Sequence, residues 1–431
     1  MSEAIRNSEK RADAFLALFD AMMAGGSAST LTEVVDAAKA LTADARPADL
    51  VAAVDAAVAR GDDFKTLKPA VSKLVNLLSS PLKAHRCSPP AGERLFSSLL
   101  AENAGLAAVL DRGKPLAKAI NDRRLPAAEL EKSLAALKAV VGELGAVEVH
   151  YRKKENVLFP WFEAHHPEYR CVRLMWEIQD DARQGLREVT RLLDAARPGF
   201  DPRPLNQVLG RLYFDLNANI FREECALFPV MLPLVAPADG ERLFLESRDY
   251  GFAFLDGSTI DRFEAARAPA AGSPAAPGKA RAQRGSKAGP AAVLAHAAGG
   301  FAGRTGTLPG EVLAAMFAAL PVDMTWVDAD DKVRWFSDSP HRIFPRSPAI
   351  LGRDVRNCHP GASVGRVVAI IESFRRGERD REVFWITMDG KFIYIEYFAL
   401  RAPDGSYLGV LEASQDLTGL RSLSGEKRLA D

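Results

Sequence analysis

Between Ala265 and Gly310 the chain contains no Asp or Glu, and Ala, Gly, Pro and Ser dominate: "APAAGSPAAPGKARAQRGSKAGPAA". A segment of that composition cannot bury enough apolar surface to offset the entropy of ordering it. It therefore forbids one continuous core across the 431 residues, and the stretches on either side must fold on their own. Length alone gives the same prior of two or three domains. The segments expected are an N-terminal helical region (1–84), a four-helix bundle (85–256), a linker (257–306) and an α+β domain (307–425). The linker is read as a mildly basic tether, with a short helix near "AVLAHAAGGFAG" or a nucleic-acid-binding tail as the alternatives.

Ahead of the linker the pattern is helical. Leu31 to Val58 and Leu67 to Leu82 read as short amphipathic helices in an Ala-rich cap. Four longer stretches follow: Glu93 to Leu110, Pro126 to Glu163, Tyr169 to Ala196 and Pro204 to Met231. Each repeats apolar residues at the spacing of one helix face, and their short connections predict an antiparallel, up-down four-helix bundle.

After the linker the period changes. "MTWVDADDKVRWFS" predicts strand, turn and strand, and "SVGRVVAIIESFRRG" a helix burying Val364, Val367, Val368, Ile371 and Phe374. The remainder predicts three strands broken at Asp389-Gly390 and Asp404-Gly405, both hairpin turns. A five-stranded antiparallel sheet with one face on the helical middle is expected, and the other face against a flanking helix or a second subunit.

One phrase occurs twice. "HYRKKENVLFP" (His150–Pro160) returns after 69 residues as "NIFREECALFP" (Asn219–Pro229), without its histidine. Leu-Phe-Pro is read as the stop of each helix. By angle, Glu102, Glu155, Glu223 and, nearer the edge, Glu224 fall on the inward stripes, with Gln179 and Arg183 on the third helix. Buried carboxylates are costly unless paired or metal-bound. Two readings stay open: a carboxylate-bridged metal, or a salt-bridged layer in which Arg183 and Lys154 neutralise Glu155 and Glu223. His150 lies about 140° from Glu155 on an ideal helix, so both reach one ion only through long side chains or a local bulge.

At "HYRKKENVLFPWFE", "LMWEIQDDAR" and "FREECALFPVM" the sequence resembles the hemerythrin-like (HHE cation-binding) family. "PVDMTWVDADDKVRWFSDS", "RIFPRSPAILGRDVRNCHP" and "GKFIYIEYFALRAPDGSYLGVLEASQDLT" resemble the PAS domain fused to such bundles in one bacterial branch. The resemblance implies a bundle able to hold two non-haem irons through His, Glu and Asp. Arg94 and Ser97 stand where related bundles carry histidines, Gln179-Asp180 replaces a His-Asp pair, and Asn219 replaces an imidazole. Residue by residue, His150, Glu155, Glu223 and Glu224 remain as the metal set. The expectation is a degenerate site with weak iron binding or none.

For the PAS domain the resemblance implies a sensor or dimerisation module. His359 and Cys358, at the entrance to its main helix, are the candidate ligand-binding pair, for haem, a metal or another small molecule; a structural role is the alternative. His341 is read as an exposed loop residue, and His165-His166 as surface loop. Lys+Arg and Asp+Glu number 56 each, which points to no nucleic-acid or membrane partner. Four cysteines lack CxxC spacing and fit a reducing compartment. The first residues lack a signal-peptide core, and no run approaches the roughly 18 apolar residues of a membrane helix. No catalytic motif is present. The sequence thus predicts a cytoplasmic sensor or regulatory protein, dimeric through its PAS domain, acting on an unknown regulatory protein partner, and not an enzyme. The alternatives are a working di-iron protein that binds oxygen or nitric oxide or handles iron, and a protein-interaction scaffold.

Overall fold

The computed structural model describes residues 2–24, 42–122, 126–197, 200–265, 301–303, 306–340, 342–359 and 361–425. The chain divides into two compact units, Met1–Pro269 and Ala270–Asp431. No described helix is long and apolar enough to cross a membrane.

The first unit is all helical. Its bundle comprises a first helix, Leu95–Ile120; a second, Ala127–Leu144 continued by Val147–Lys153; a third, Cys171–Ala195; and a fourth, Pro202–Arg222. Sequence neighbours pack side by side and the first helix also meets the fourth, which closes the ring. Most residues that helical spacing places inward are buried, among them Leu95, Leu99, Leu106, Val109, Val140, Leu144, Tyr151, Val172, Met175, Leu193, Leu209, Leu212 and Leu216; Trp176 and Leu186 of the third helix, expected on its stripe, are only half-buried.

Leu-Phe-Pro does not stop the helices. Each repeat passes through a π-turn, Lys154–Leu158 in the second helix and Glu223–Leu227 in the fourth, and then resumes as Phe159–His165 and Phe228–Met231. The wide turns close where the Phe159 N–H reaches the Lys154 carbonyl and the Phe228 N–H the Glu223 carbonyl. Pro160 and Pro229 carry no N–H, and a proline ring clashes with the carbonyl four residues back. A π-turn just upstream absorbs both defects. The repeated phrase therefore folds the same way twice.

The N-terminal region begins with a helix that periodicity from Leu31 onward did not include: Ser2–Met23, which buries Phe15, Leu18 and Phe19. Helices Pro47–Arg60 and Phe64–Leu77 follow; the first part of the predicted Leu31–Val58 helix lies outside the described residues. These helices share one apolar cluster with Leu95, Phe96, Phe159, Phe162, Val172 and Phe228 of the bundle. Past the fourth helix come Pro237–Arg248 and Gly257–Ala265. The latter is ordered at the start of the segment read as linker, and is tied down where Arg94 donates to the Phe263 carbonyl at 3.0 Å.

The second unit contains a two-stranded pair, β1 (Phe301–Gly303) and β2 (Gly306–Leu308), then a helix Gly310–Ala319. Its main sheet holds β3 (Asp323–Asp328), β4 (Val333–Phe336), β5 (Arg381–Met388), β6 (Lys391–Arg401) and β7 (Tyr407–Asp416). The order is β4-β3-β7-β6-β5, antiparallel throughout. The β5–β6 hairpin turns at Asp389 and Gly390, both at positive φ, as a tight primed turn requires. One sheet face, with Val327, Val333, Ile393, Ile395, Tyr397 and Val410, packs on Val367, Ile371 and Phe374 of helix Gly361–Arg375. The helix Gly310–Ala319 flanks the other face, where Phe317 meets Trp335 on β4 at 5.1 Å.

Candidate functional site

In the bundle interior, Glu102 of the first helix and Glu223 of the fourth are 0% and 1% exposed. His150 of the second lies between them. Its Nδ1 is 2.8 Å from Glu102 Oε2 and its Nε2 3.3 Å from Glu223 Oε2. Two neighbouring lysines close the layer from the same helix. Lys153 Nζ donates to Glu102 Oε1 at 2.5 Å, and Lys154 Nζ donates to Glu223 Oε1. Consecutive helical residues diverge by about 100°, which is why one lysine serves the first helix and the other the fourth. Both ammoniums are shut from water, at 2% and 0% exposure.

Further donors complete each carboxylate. Asn103 Nδ2 donates to Glu223 Oε2 at 3.1 Å, and the Ala253 N–H donates to Glu102 Oε1 at 2.8 Å. Ala253 belongs to a strap after helix Pro237–Arg248, and Phe252 beside it places its ring 4.5 Å from Lys153 Nζ. The strap approaches the first helix at Gly105, where a Cβ would stand 2.4 Å from the Phe254 carbonyl oxygen.

Burial works against charge on the two acids and on the two lysines. It opposes ionised Glu102, but His150 and Lys153 hold that carboxyl below its ordinary value. The same contest at Glu223, won by Lys154 and His150, brings it to about 2. Burial draws both lysines down, against the pull of their carboxylates.

The structure divides the metal set expected from sequence. His150 and Glu223 come together, and Glu102 joins them. Glu155 turns instead to Arg183, which grips it with two 2.8 Å bonds and also holds Glu148 and Asp180. Glu224 pairs with Arg86 at 2.7 Å, beside the Cys87 N–H that donates to its carbonyl. Arg183–Glu155 and Lys154–Glu223 are the pairs of the salt-bridged reading. Asn219 donates to the Tyr151 hydroxyl at 3.1 Å and accepts from Arg222 at 2.8 Å. Gln179, fully buried, has neither amide atom bonded to protein.

Non-haem iron needs lone pairs converging on open positions. Here the Glu102 and Glu223 oxygens take N–H donors, two of them cationic, and each His150 nitrogen faces a carboxylate. Among the described residues no group of three or more His, Cys, Asp or Glu is arranged to hold a metal. The residues present do not fit a pair of irons. Glu102 was legible as an inward acid; Lys153 and the Ala253 strap were not foreseen, since neither lies on an apolar stripe.

In the second unit His359 is half-buried at the end of the turn Val355–Cys358. Burial, then the Arg346 guanidinium, lowers its imidazole to about 4. Arg346 pairs with Glu412 on the inner sheet face at 3.2 Å. Asp323 on β3 fixes the loop that presents it, accepting from the Ile343 and Phe344 N–H groups at 3.0 and 2.9 Å and from Arg342 at 3.1 Å. The Cys358 thiol donates to the Asp354 carbonyl at 3.6 Å. His341 lies outside the described residues. His165 ends its helix at the surface, stacked 4.4 Å over Trp161.

Comparison with family profiles matches residues 97–231 to the hemerythrin HHE cation binding domain and residues 313–418 to a PAS domain. No curated protein matches the chain. Among solved structures, a C-terminal domain from Streptococcus mutans is 32% identical, covering 29% of this chain and 98% of that one, with a TM-score of 0.28. A PAS domain from Colwellia psychrerythraea is 15% identical, covering 25% of this chain and 95% of that one, with a TM-score of 0.22. The chain thus joins a hemerythrin HHE cation binding domain to a C-terminal PAS domain.

Proposed function

We propose that this chain is a cytoplasmic sensor or regulatory protein in which the bundle's metal site is degenerate and the PAS domain receives the signal. One observation carries the reading: the interior of the bundle is charge-balanced by Lys153 and Lys154 on Glu102 and Glu223. An iron pair would add positive charge to a layer whose carboxylates are already neutralised, and the buried ammoniums would have to be expelled.

The PAS domain supplies the responsive part. His359 is kept neutral by burial and by Arg346, and with Cys358 it forms the candidate contact for a small ligand. Association is assigned to the outer sheet face with a second copy of the chain. On β5 Trp385 is 62% exposed, and its cross-strand neighbour Tyr394 extends an aromatic surface of the kind enriched in interfaces.

The test is native mass spectrometry with metal analysis on the full chain, purified from cells grown with added iron. A dimer without bound iron is the expected result. Two irons per chain, lost on Glu223→Gln, would replace this reading with a working di-iron protein. Trp385→Glu separates the association claim: it should yield monomers, and a dimer that survives it moves the interface elsewhere.

A further inference from the structure

We infer that Arg222 heads a binding site for a small aliphatic carboxylate, in the seam where the N-terminal helices dock on the bundle. Arg222 precedes Glu223 in the fourth helix, but consecutive helical residues diverge by about 100°, and the arginine lines a different space from the acid. Neither reading of the charged layer bears on that space.

A cavity of about 40 Å³ lies where helices Pro47–Arg60 and Phe64–Leu77 meet the third and fourth bundle helices. Val51, Val54, Val71, Met175 and Leu227 give it an apolar wall, and among the described residues Arg222 is the one charged group on it. A water requires about 10–15 Å³ of such space and two to four polar partners. The cavity therefore suits a guest of about three or four heavy atoms, apolar on most sides and polar at one end. Formate and acetate are of that size.

The polar end is set by the guanidinium. Arg222 is 6% exposed. One terminal nitrogen donates to Asn219 Oδ1 at 2.8 Å and the other to Ser72 Oγ at 2.6 Å, both neutral acceptors. Its Nε–H has no partner among the described residues. The acids whose charge it feels, Asp215 and Glu223, are engaged elsewhere, with Arg211 at 3.7 Å and with Lys154. Burial thus opposes a positive charge that no described carboxylate bonds. A buried cation is costly until it is paired, and an anionic oxygen makes the stronger hydrogen bond to an unused N–H. An oxyanion on a short aliphatic body satisfies both the Nε–H and the apolar wall. Ser72 belongs to helix Phe64–Leu77, so Arg222 already ties the N-terminal helices to the bundle. A carboxylate bound beside that tie would hold the two parts together more firmly.

The experiment titrates the full chain with sodium formate and sodium acetate against sodium chloride at equal ionic strength, with acetamide as the uncharged shape control. Isothermal calorimetry reads binding and thermal unfolding reads stability. Acetate should bind saturably and raise the unfolding midpoint of the helical unit by about 3–6 °C at about ten times its Kd. Arg222→Gln should weaken acetate about 10–100-fold, the worth of a charged hydrogen bond. If that variant does not fold, Val54→Leu reads the same point: it fills the cavity, keeps the guanidinium, and should abolish the acetate effect. Acetate binding that survives Val54→Leu unchanged overturns the inference. So does an equal response to acetamide, which removes the role of charge, or to chloride, which removes that of the apolar wall. A wild type that responds to neither formate nor acetate also overturns it, and leaves the sensor reading standing.

Discussion

One ammonium, carried on a four-carbon stem, separates two very different electrostatic situations at Lys154. With its ammonium present, buried Glu223 is paired; without it, an anion stays 1% exposed with only His150 and Asn103 as donors. Breaking one half of a buried pair typically costs about 3–5 kcal/mol, whereas replacing both partners by apolar residues is close to neutral. Lys154→Met should therefore lose stability of that order in denaturant unfolding, and Lys154→Met with Glu223→Leu should regain most of it. Equal losses in both variants would show that packing, not charge, dominates. His359 makes the corresponding prediction for the PAS domain. Its folded-state value of about 4 lies below its ordinary 6.5, so the unfolded chain binds the proton more readily between those values. Its contribution to stability is complete above about pH 6.5 and is lost as the pH falls toward 4. The unfolding midpoint of the PAS unit should drop over that window in wild type and drop less in His359→Gln.

At the scale of elements, the sequence disclosed periods better than it disclosed departures from them. The apolar stripes were legible because burial follows helical angle, and Leu99, Leu106, Leu212 and Leu216 are buried where the pattern put them. The paired Leu-Phe-Pro phrases were visible, but proline reads locally as a breaker. That the surrounding bundle would hold both helices together through a π-turn is a tertiary effect. The pairing of acids was half legible: angle placed Glu102, Glu155 and Glu223 inward, while the choice of partner depended on where long lysine and arginine stems reach. The strap was illegible, because a contact between Ala253 and Glu102 spans 151 residues and leaves no local trace. Gly105 is its footprint. A methyl group there would meet the Phe254 carbonyl oxygen at 2.4 Å and Phe254 Cβ at 2.6 Å. Gly105→Ala should cost about 1–3 kcal/mol, as overpacking does, and should speed hydrogen exchange at the Ala253 amide. Unchanged exchange there would mean that the strap yields without leaving Glu102.

For the whole molecule, the acid-free stretch falls between the described helical part and the described sheet-bearing part; composition reports where a core is hard to build. It did not report that the N-terminal helices and the bundle share one apolar cluster, since apolar stripes do not name their partners. Two units with separate cores should unfold in two transitions. Val172→Ala should lower only the transition of the helical unit, and Phe374→Ala only that of the PAS unit, in calorimetry of the full chain. One merged transition that both variants lower equally would show cooperation between the units. The strap carries a last consequence. It lies between the fourth bundle helix and the stretch that runs on toward the PAS unit, and its Ala253 amide is anchored on Glu102. Loss of the strap would thus take a neutral donor from Glu102 and leave that buried carboxylate to Lys153 and His150 alone.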